Sequence, residues 1–269
     1  MLLLLVAASL VMHAFANPFL GGGGMGGGCG GPAQDPEEVD AEPHVPRPVM
    51  FVISGAPRAG KTFLATRLHT LFEAHSHWNI STHYITMDDM FYETFAREHS
   101  LDAHKLKTDA FYRWDYNTDL TKFTEGLKAS KGPNDAWKQS ALEYVANSIS
   151  NHVANAPKTR HIFILDGFND PKSMEYVQSL VKNTEFTKSF PEERLEAVYV
   201  HVRAPESVRE ERGLKPNKPA IKAAESDANA VAASVQWTHQ FDNDEQGADG
   251  IVKMDNFLAS VLLREAANQ

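Results

Sequence analysis

Residues 51–62 read FVISGAPRAGKT: an apolar run stops at Gly55, and four residues later the chain continues as Gly60-Lys61-Thr62. Gly55-Ala56-Pro57-Arg58-Ala59-Gly60-Lys61-Thr62 fits the spacing G-x-x-x-x-G-K-[ST]. In such a loop the glycines let successive backbone N–H groups turn inward toward phosphate oxygens, and a helix starting near the lysine adds its positive end. Lys61 then reaches the β- and γ-phosphates of a nucleotide, and the Thr62 hydroxyl can ligate Mg²⁺. A glycine turn that carries a lysine by chance is the plain alternative. The flanking pattern separates the two.

Upstream, Val49 to Ser54 is continuously apolar and short enough for a strand buried on both faces, as in a parallel sheet. Downstream, Leu64, Leu68, Leu71 and Phe72 recur at helical spacing. Further apolar runs lie at 83–87 (HYITM), 161–165 (HIFIL) and 197–202 (AVYVHV). Helical patterns separate them: Leu120, Phe123 and Leu127 in a stretch from Asp119, then Trp137 through Val145, Ile149 and Val153. A last helix, with Phe257, Leu258, Val261 and Leu262, is expected to cover the sheet. Strands alternating with helices of this length predict βαβ units, a parallel sheet and helices on both faces. The segment 213–229 (GLKPNKPAIKAAESDAN) is polar, lysine-bearing and broken by proline, which predicts a mobile lid or surface loop.

With 269 residues the chain can bury one substantial core. A formal charge of −9 argues against wrapping nucleic acid, which needs a dense cationic face. Cys29 stands alone, so no intramolecular disulfide or cysteine metal cluster can form. The N-terminus, MLLLLVAASLVMHAFAN, has an apolar run followed by Ala14-Phe15-Ala16, which predicts a signal peptide over residues 1–16. Residues 17–48, rich in Gly, Pro and acids, read as a disordered linker. The folded domain is therefore expected over residues 49–269.

Three constellations narrow the function beyond phosphate binding. Asp88-Asp89 ends the second apolar run, where a parallel sheet points its carboxyl ends into one crevice. Asp88 there could take a proton from an attacking hydroxyl or hold Mg²⁺; otherwise the pair is a solvated helix start. Asp166, ending the run 162–165, stands at the usual second acidic position beside the metal, although Asp166-Gly167 is also an ordinary turn. Arg209 and Arg212, at i and i+3, could close over transferring phosphates or form an exposed helix ion-paired with the interspersed glutamates.

Together these residues resemble the nicotinamide riboside kinases and their uridine kinase relatives. Met87-Asp88-Asp89-Met90-Phe91 resembles the D-D-x-F segment of that family. Arg113-Trp114-Asp115 with 119–123 (DLTKF) resembles its aromatic-Asp motif, Leu165-Asp166-Gly167-Phe168 its Glu-Gly-Phe, and 205–212 its lid helix. The resemblance implies a P-loop NTPase-type α/β fold, a doubly wound five-stranded parallel sheet of order 2-3-1-4-5 with a helical lid at about 205–230. It implies an ATP- and Mg²⁺-dependent kinase acting on a nucleoside-type hydroxyl. Asp88 would be the general base, with Thr62, Asp88 and Asp166 around the metal. Asp88, Asp89, Phe91, Trp114 and Asp115 would line the acceptor pocket, Asp115 on the ribose hydroxyls and Trp114 against the base. Lys61, Arg209 and Arg212 would neutralise the transferring group. The partners implied are a small nucleoside-like substrate, no nucleic acid, and no membrane span once the leader is cleaved.

Departures from that family are explicit. Asp166 stands for Glu, Trp114 for Tyr, and Glu210 and Glu211 occupy positions that tend to be basic. An insertion between Phe91 and Trp114 carries His99, His104 and Lys105, which read as surface residues. Residues 92–106 and the Arg-Glu-Glu-Arg-Gly stretch also resemble animal phosphomevalonate kinase, whose phosphorylated acceptor calls for several arginines in the pocket. A kinase fold kept for nucleotide binding without turnover is the third reading. The leader points to the secretory pathway, whereas ATP chemistry points to the cytoplasm.

Overall fold

The computed structural model describes residues 47–74, 79–130, 136–188, 190 and 194–267. The expected signal peptide, almost all of the linker, and Cys29 lie outside the described residues. The elements run β1 (Val49–Gly55), α1 (Lys61–Glu73), β2 (Ile80–Thr86), α2 (Asp89–His99), α3 (Ala103–Thr108), α4 (Ala110–Ser130), α5 (Ala136–Asn155), β3 (Arg160–Asp166) and α6 (Pro171–Lys182). They continue with α7 (Thr184–Thr187), β4 (Glu196–Arg203), α8 (Glu206–Glu211), α9 (Pro219–Ser234), β5 (His239–Asp242) and α10 (Gly247–Ala267).

The five strands form one sheet in the order β2-β3-β1-β4-β5, every pair parallel. This is the doubly wound α/β architecture and strand order expected from the sequence. β1 lies in the middle and every one of its residues is buried, which is why its sequence is apolar without alternation. Its side chains still divide by period two. Val49, Phe51 and Ile53 pack with Leu64, Leu68 and Phe72 of α1 and with Met254, Leu258 and Val261 of α10. Met50 and Val52 face the other way, onto Val145, Ile149 and Val153 of α5, Met174 and Val177 of α6, and Val231 of α9. Each such fully buried aliphatic or aromatic side chain stabilises the fold by roughly 1.5–3 kcal/mol. A third cluster, Phe95, Leu106 and Leu120 with Tyr112, Tyr116 and Phe123, fastens α2, α3 and α4 into a cap beside β2.

Two elements differ from the sequence expectation. The edge strand β5, His-Gln-Phe-Asp, buries only Phe241, so it carries no apolar run and owes its conformation to pairing with β4. α4 begins at Ala110, a full nine residues before the Asp119 start expected from its apolar face. The segment 213–229, within the helical lid expected at about 205–230, is for the most part helical. Pro219 occupies the first turn of α9, where a missing N–H costs nothing, and the alanine-rich stretch behind it buries Ala228 and Val231 on the core. Among the described residues no helix is long and apolar enough to cross a membrane.

Candidate active site

The parallel register delivers the chemistry to one end of the sheet. Asp166 at the end of β3 stands beside Ile53 of β1 and Thr86 of β2, and Gly55 at the end of β1 stands beside Val202 of β4. Gly55 has φ +153°, and a Cβ placed there would run into the Val202 carbonyl oxygen. From the next loop, Asn169 Oδ1 accepts from Ser54 Oγ at 3.0 Å and from the Gly55 N–H at 3.3 Å.

The loop 55–62 then turns through Arg58 at φ 63° and Gly60 at φ 100°. Gly60 is the N-cap of α1 and no side chain caps that helix, so its first amides are left to an outside acceptor. A Cβ at Gly60 would collide with the Asn243 side-chain amide. Asn243 Nδ2 instead donates to the Ala59 carbonyl at 2.7 Å, and Arg212 Nη1 donates to the same oxygen at 3.3 Å. The loop is therefore held from behind by residues that follow β4 and β5.

Lys61 donates from Nζ to the Ala56 carbonyl at 2.8 Å. Burial pulls its pKa from 10.5 down to about 8, against the attraction of Asp166 and with a further push from Arg209. Asp166 closes the strand beside β1 and Arg209 Nη1 reaches the Pro57 carbonyl, so both stand at the end of the sheet that carries Lys61. Phosphate oxygens arriving there would raise the lysine pKa again, so nucleotide binding is linked to proton uptake above the free value. We expect the affinity for a non-hydrolysable ATP analogue to be level below pH about 8 and to fall by up to about tenfold per unit above it. Calorimetric titration across that pH would show it, and a flat profile would remove Lys61 from the phosphate contact.

The acidic residues divide into different roles. Asp166 is only 5% exposed and accepts from the Tyr84 hydroxyl at 2.9 Å; burial and this carboxylate push the Tyr84 pKa up, so the phenol stays a donor. Asp89 is 3% exposed. It accepts from Thr86 Oγ1 at 2.7 Å and lies 3.2 Å from Lys107 Nζ, which also reaches Glu93 at 2.8 Å. Burial pushes the Asp89 pKa up against Lys107. Burial also pulls Lys107 down, but its two carboxylate partners outweigh that and hold it charged. Asp89 is accordingly a brace between α2 and α3 rather than a surface for substrate, and Phe91, 0% exposed, is a core residue behind it. Asp88 is exposed. It sits at the N-cap of α2 without capping it, and its carboxylate has no hydrogen bond or ion pair to another described residue.

Arg209 and Arg212 are both brought to the phosphate loop, neither as a freely solvated arginine. Arg209 Nη1 lies 3.5 Å from the Pro57 carbonyl and 2.5 Å from Glu225 Oε1 of α9, while its buried Nε has no partner among the described residues. Arg212 Nη2 donates to the Asn243 carbonyl, Asn243 Oδ1 and the Glu245 carbonyl at 3.3, 3.2 and 3.0 Å. Trp114 is 77% exposed on the first turns of α4, and Asp115 beside it is exposed too. Among the described residues neither touches Asp88 or the phosphate loop through a hydrogen bond or ring contact. Asn169, Asn243 and Glu225 are site residues that no sequence motif marked.

These residues fit a nucleoside triphosphate. Uncapped helix amides, the half-buried Lys61 and an orphaned buried Nε of Arg209 call for an anion there. Thr62, exposed on the first turn of α1, and Asp88 and Asp166 offer the oxygens for Mg²⁺. Among the described residues no group of three or more His, Cys, Asp or Glu could hold a metal; Mg²⁺ that keeps its waters and leans on phosphates needs only one or two protein ligands.

No family model matches the chain. No curated protein matches it either. Among solved structures it is similar to a gluconokinase from Sinorhizobium meliloti 1021, at 11% identity and a TM-score of 0.42 over 82% of this chain and 95% of that one. It is also similar to the APS kinase of Mycobacterium tuberculosis in complex with AMPPNP and APS, at 14% identity and TM-score 0.40 over 83% and 99% of the two chains. A shikimate kinase from Bacteroides thetaiotaomicron gives 16% identity and TM-score 0.42 over 80% and 98%. With TM-scores this low, these likenesses carry no functional argument.

Proposed function

We propose that the protein is an ATP-dependent phosphotransferase acting on a hydroxyl of a small molecule, and that the acceptor is nucleoside-like. The observation that carries the reading is that Lys61 and Arg209 both reach carbonyls of the phosphate loop, with Asp166 closing the strand beside β1 and an exposed Asp88 following β2 at the same end of the sheet. ATP with Mg²⁺ supplies the phosphoryl group. Lys61, the α1 amides and Arg209 hold and neutralise it. Asp88 accepts the acceptor's hydroxyl proton as the new O–P bond forms and the bond to the ADP oxygen breaks. Asp166, kept in place by Tyr84, would hold Mg²⁺ or its waters. Such catalysis is positioning plus charge neutralisation.

The nucleoside-like acceptor is supported by the order of the 87–91, 113–123, 165–168 and 205–212 motifs along the chain. The test is ADP release with a panel of nucleosides, with phosphomevalonate, and without acceptor. Stimulation by nucleosides alone is the expected result. Stimulation by phosphomevalonate alone would replace the acceptor, and no stimulation by any would leave a nucleotide-binding protein without turnover.

A further inference from the structure

Three histidines that phosphoryl transfer does not use form one stack on the face of the sheet that α5 covers. The His83 ring of β2 lies 3.8 Å from that of His152 of α5 and 5.3 Å from that of His161 of β3, centroid to centroid, with interplanar angles of 29° and 22°. Phe163 of β3 borders all three, at 5.0 Å from His83, 5.9 Å from His161 and 6.5 Å from His152. The register explains the gathering. His83 pairs with Phe163, and side chains two residues apart on β3 share a face, so His161 joins them. β2 is an edge strand, and this stack is part of what fastens it under α5.

Hydrogen bonding fixes the protons. The Ala156 carbonyl can only accept, so His161 Nε2, 2.9 Å away, carries a hydrogen. In the neutral ring Nδ1 is then a lone pair, which accepts from His83 Nε2–H at 3.0 Å. A proton added to His161 Nδ1 would set two N–H groups against each other. Burial is the leading reason that each ring stays neutral. It pulls His83 down to about 3, with help from His152, His161 and His69 of α1. His152 is lowered by burial, by His161 and by Lys107 of α3, against the pull of Glu93 of α2. The Glu93 carboxylate is already bound to Lys107 and to the Tyr144 hydroxyl of α5. His161 is lowered by burial against the Ala156 carbonyl.

We infer that this stack is an acid-sensitive clasp: neutral, it holds α5 onto β2 and β3, and protonated, it releases them. Beyond His83, β2 carries Tyr84, which bonds Asp166, and ends at Thr86, two residues before Asp88. Release therefore also loosens the part of the candidate site that holds both acids. All three rings take up protons less readily in the folded chain than in the unfolded one, where a histidine titrates near about 6.5. The stability they support is thus complete above that pH and is lost as the pH falls below it. From pH 6.5 to 5 the folding constant should drop by about 30-fold for each ring that stays neutral. Ordinary carboxylates, with pKa values near about 4, are still charged in that window.

Urea unfolding of the full chain, followed by circular dichroism between pH 7.5 and 5, tests this. His83→Phe and His152→Phe each keep a ring in the stack and remove one titrating group. Each should cut the loss between pH 6.5 and 5 by about 30-fold relative to the native chain, whatever its stability at pH 7.5. Either variant suffices should the other not fold. A folding constant that is level across the window, or variants with the native pH dependence, would overturn the clasp. Amide hydrogen exchange, corrected for its intrinsic pH dependence, locates the release: β2 and α5 should lose protection on acidification before β1 and β4. Loss spread evenly over the whole sheet would overturn it as well.

Discussion

Asp88→Asn should lower kcat by about 10²–10⁴-fold, the usual contribution of a positioned general base, while the affinity for an ATP analogue stays within about twofold. Asparagine keeps the size of the side chain and removes only its capacity to take a proton. The native carboxylate forms no cap on α2 and no bond to another described residue, so the substitution breaks nothing that holds the fold. The melting temperature should therefore stay where it is. Single-turnover kinetics with a stimulating acceptor, alongside calorimetric ATP-analogue binding, separates chemistry from binding. A kcat close to the native value would take Asp88 out of the mechanism and return it to a solvated helix start.

Gly55→Ala should act on the whole molecule. Gly55 pairs with Val202 in the middle of the sheet. The added methyl would meet the Val202 carbonyl oxygen, a backbone atom that cannot rotate away. At φ +153° the alanine is also strained where glycine is not. Backbone strain of about 1–3 kcal/mol and a similar overpacking cost combine to about 3–5 kcal/mol. For a domain of this size that corresponds to a fall of about 10 °C or more in melting temperature. Nucleotide affinity should be lost with it, because the loop starts at that residue. Gly126→Ala is the matching control: it lies within α4 and a Cβ there meets nothing within 4 Å, so the melting temperature should hold or rise slightly. Equal behaviour of the two variants would refute the close approach of β1 and β4.

Much of the fold was legible because its signals are local. The unbroken apolar run of β1, the loop glycines and the 3.6-residue spacing of α1 lie within two dozen consecutive residues, and each pattern reports burial on its own element. β5 was not legible, since three of its four residues stay unburied and only the neighbouring strand makes it extended. Within the helical lid expected at about 205–230, the extent of α9 was not legible from an apolar stripe, because polar residues cover its outer face. Its alanine content and the proline at its first turn were the available signal.

For the site, the sequence by itself determined that a phosphate cradle follows a buried strand, that Lys61 and Thr62 stand at its end, and that acids close two other strands. Chain-local spacing is enough for that. Only the tertiary structure decided which acid is engaged and which is free, turning Asp89 into a brace for Lys107 and leaving Asp88 open. It also joined Asn243 to Ala59 across 184 residues and tied Arg209 to Glu225. Finally, it set Lys128 over the rings of Phe91 and Trp137 while leaving Trp114 exposed. Hydrogen bonds and charge contacts depend on where distant segments meet, and no periodicity along the chain encodes that meeting.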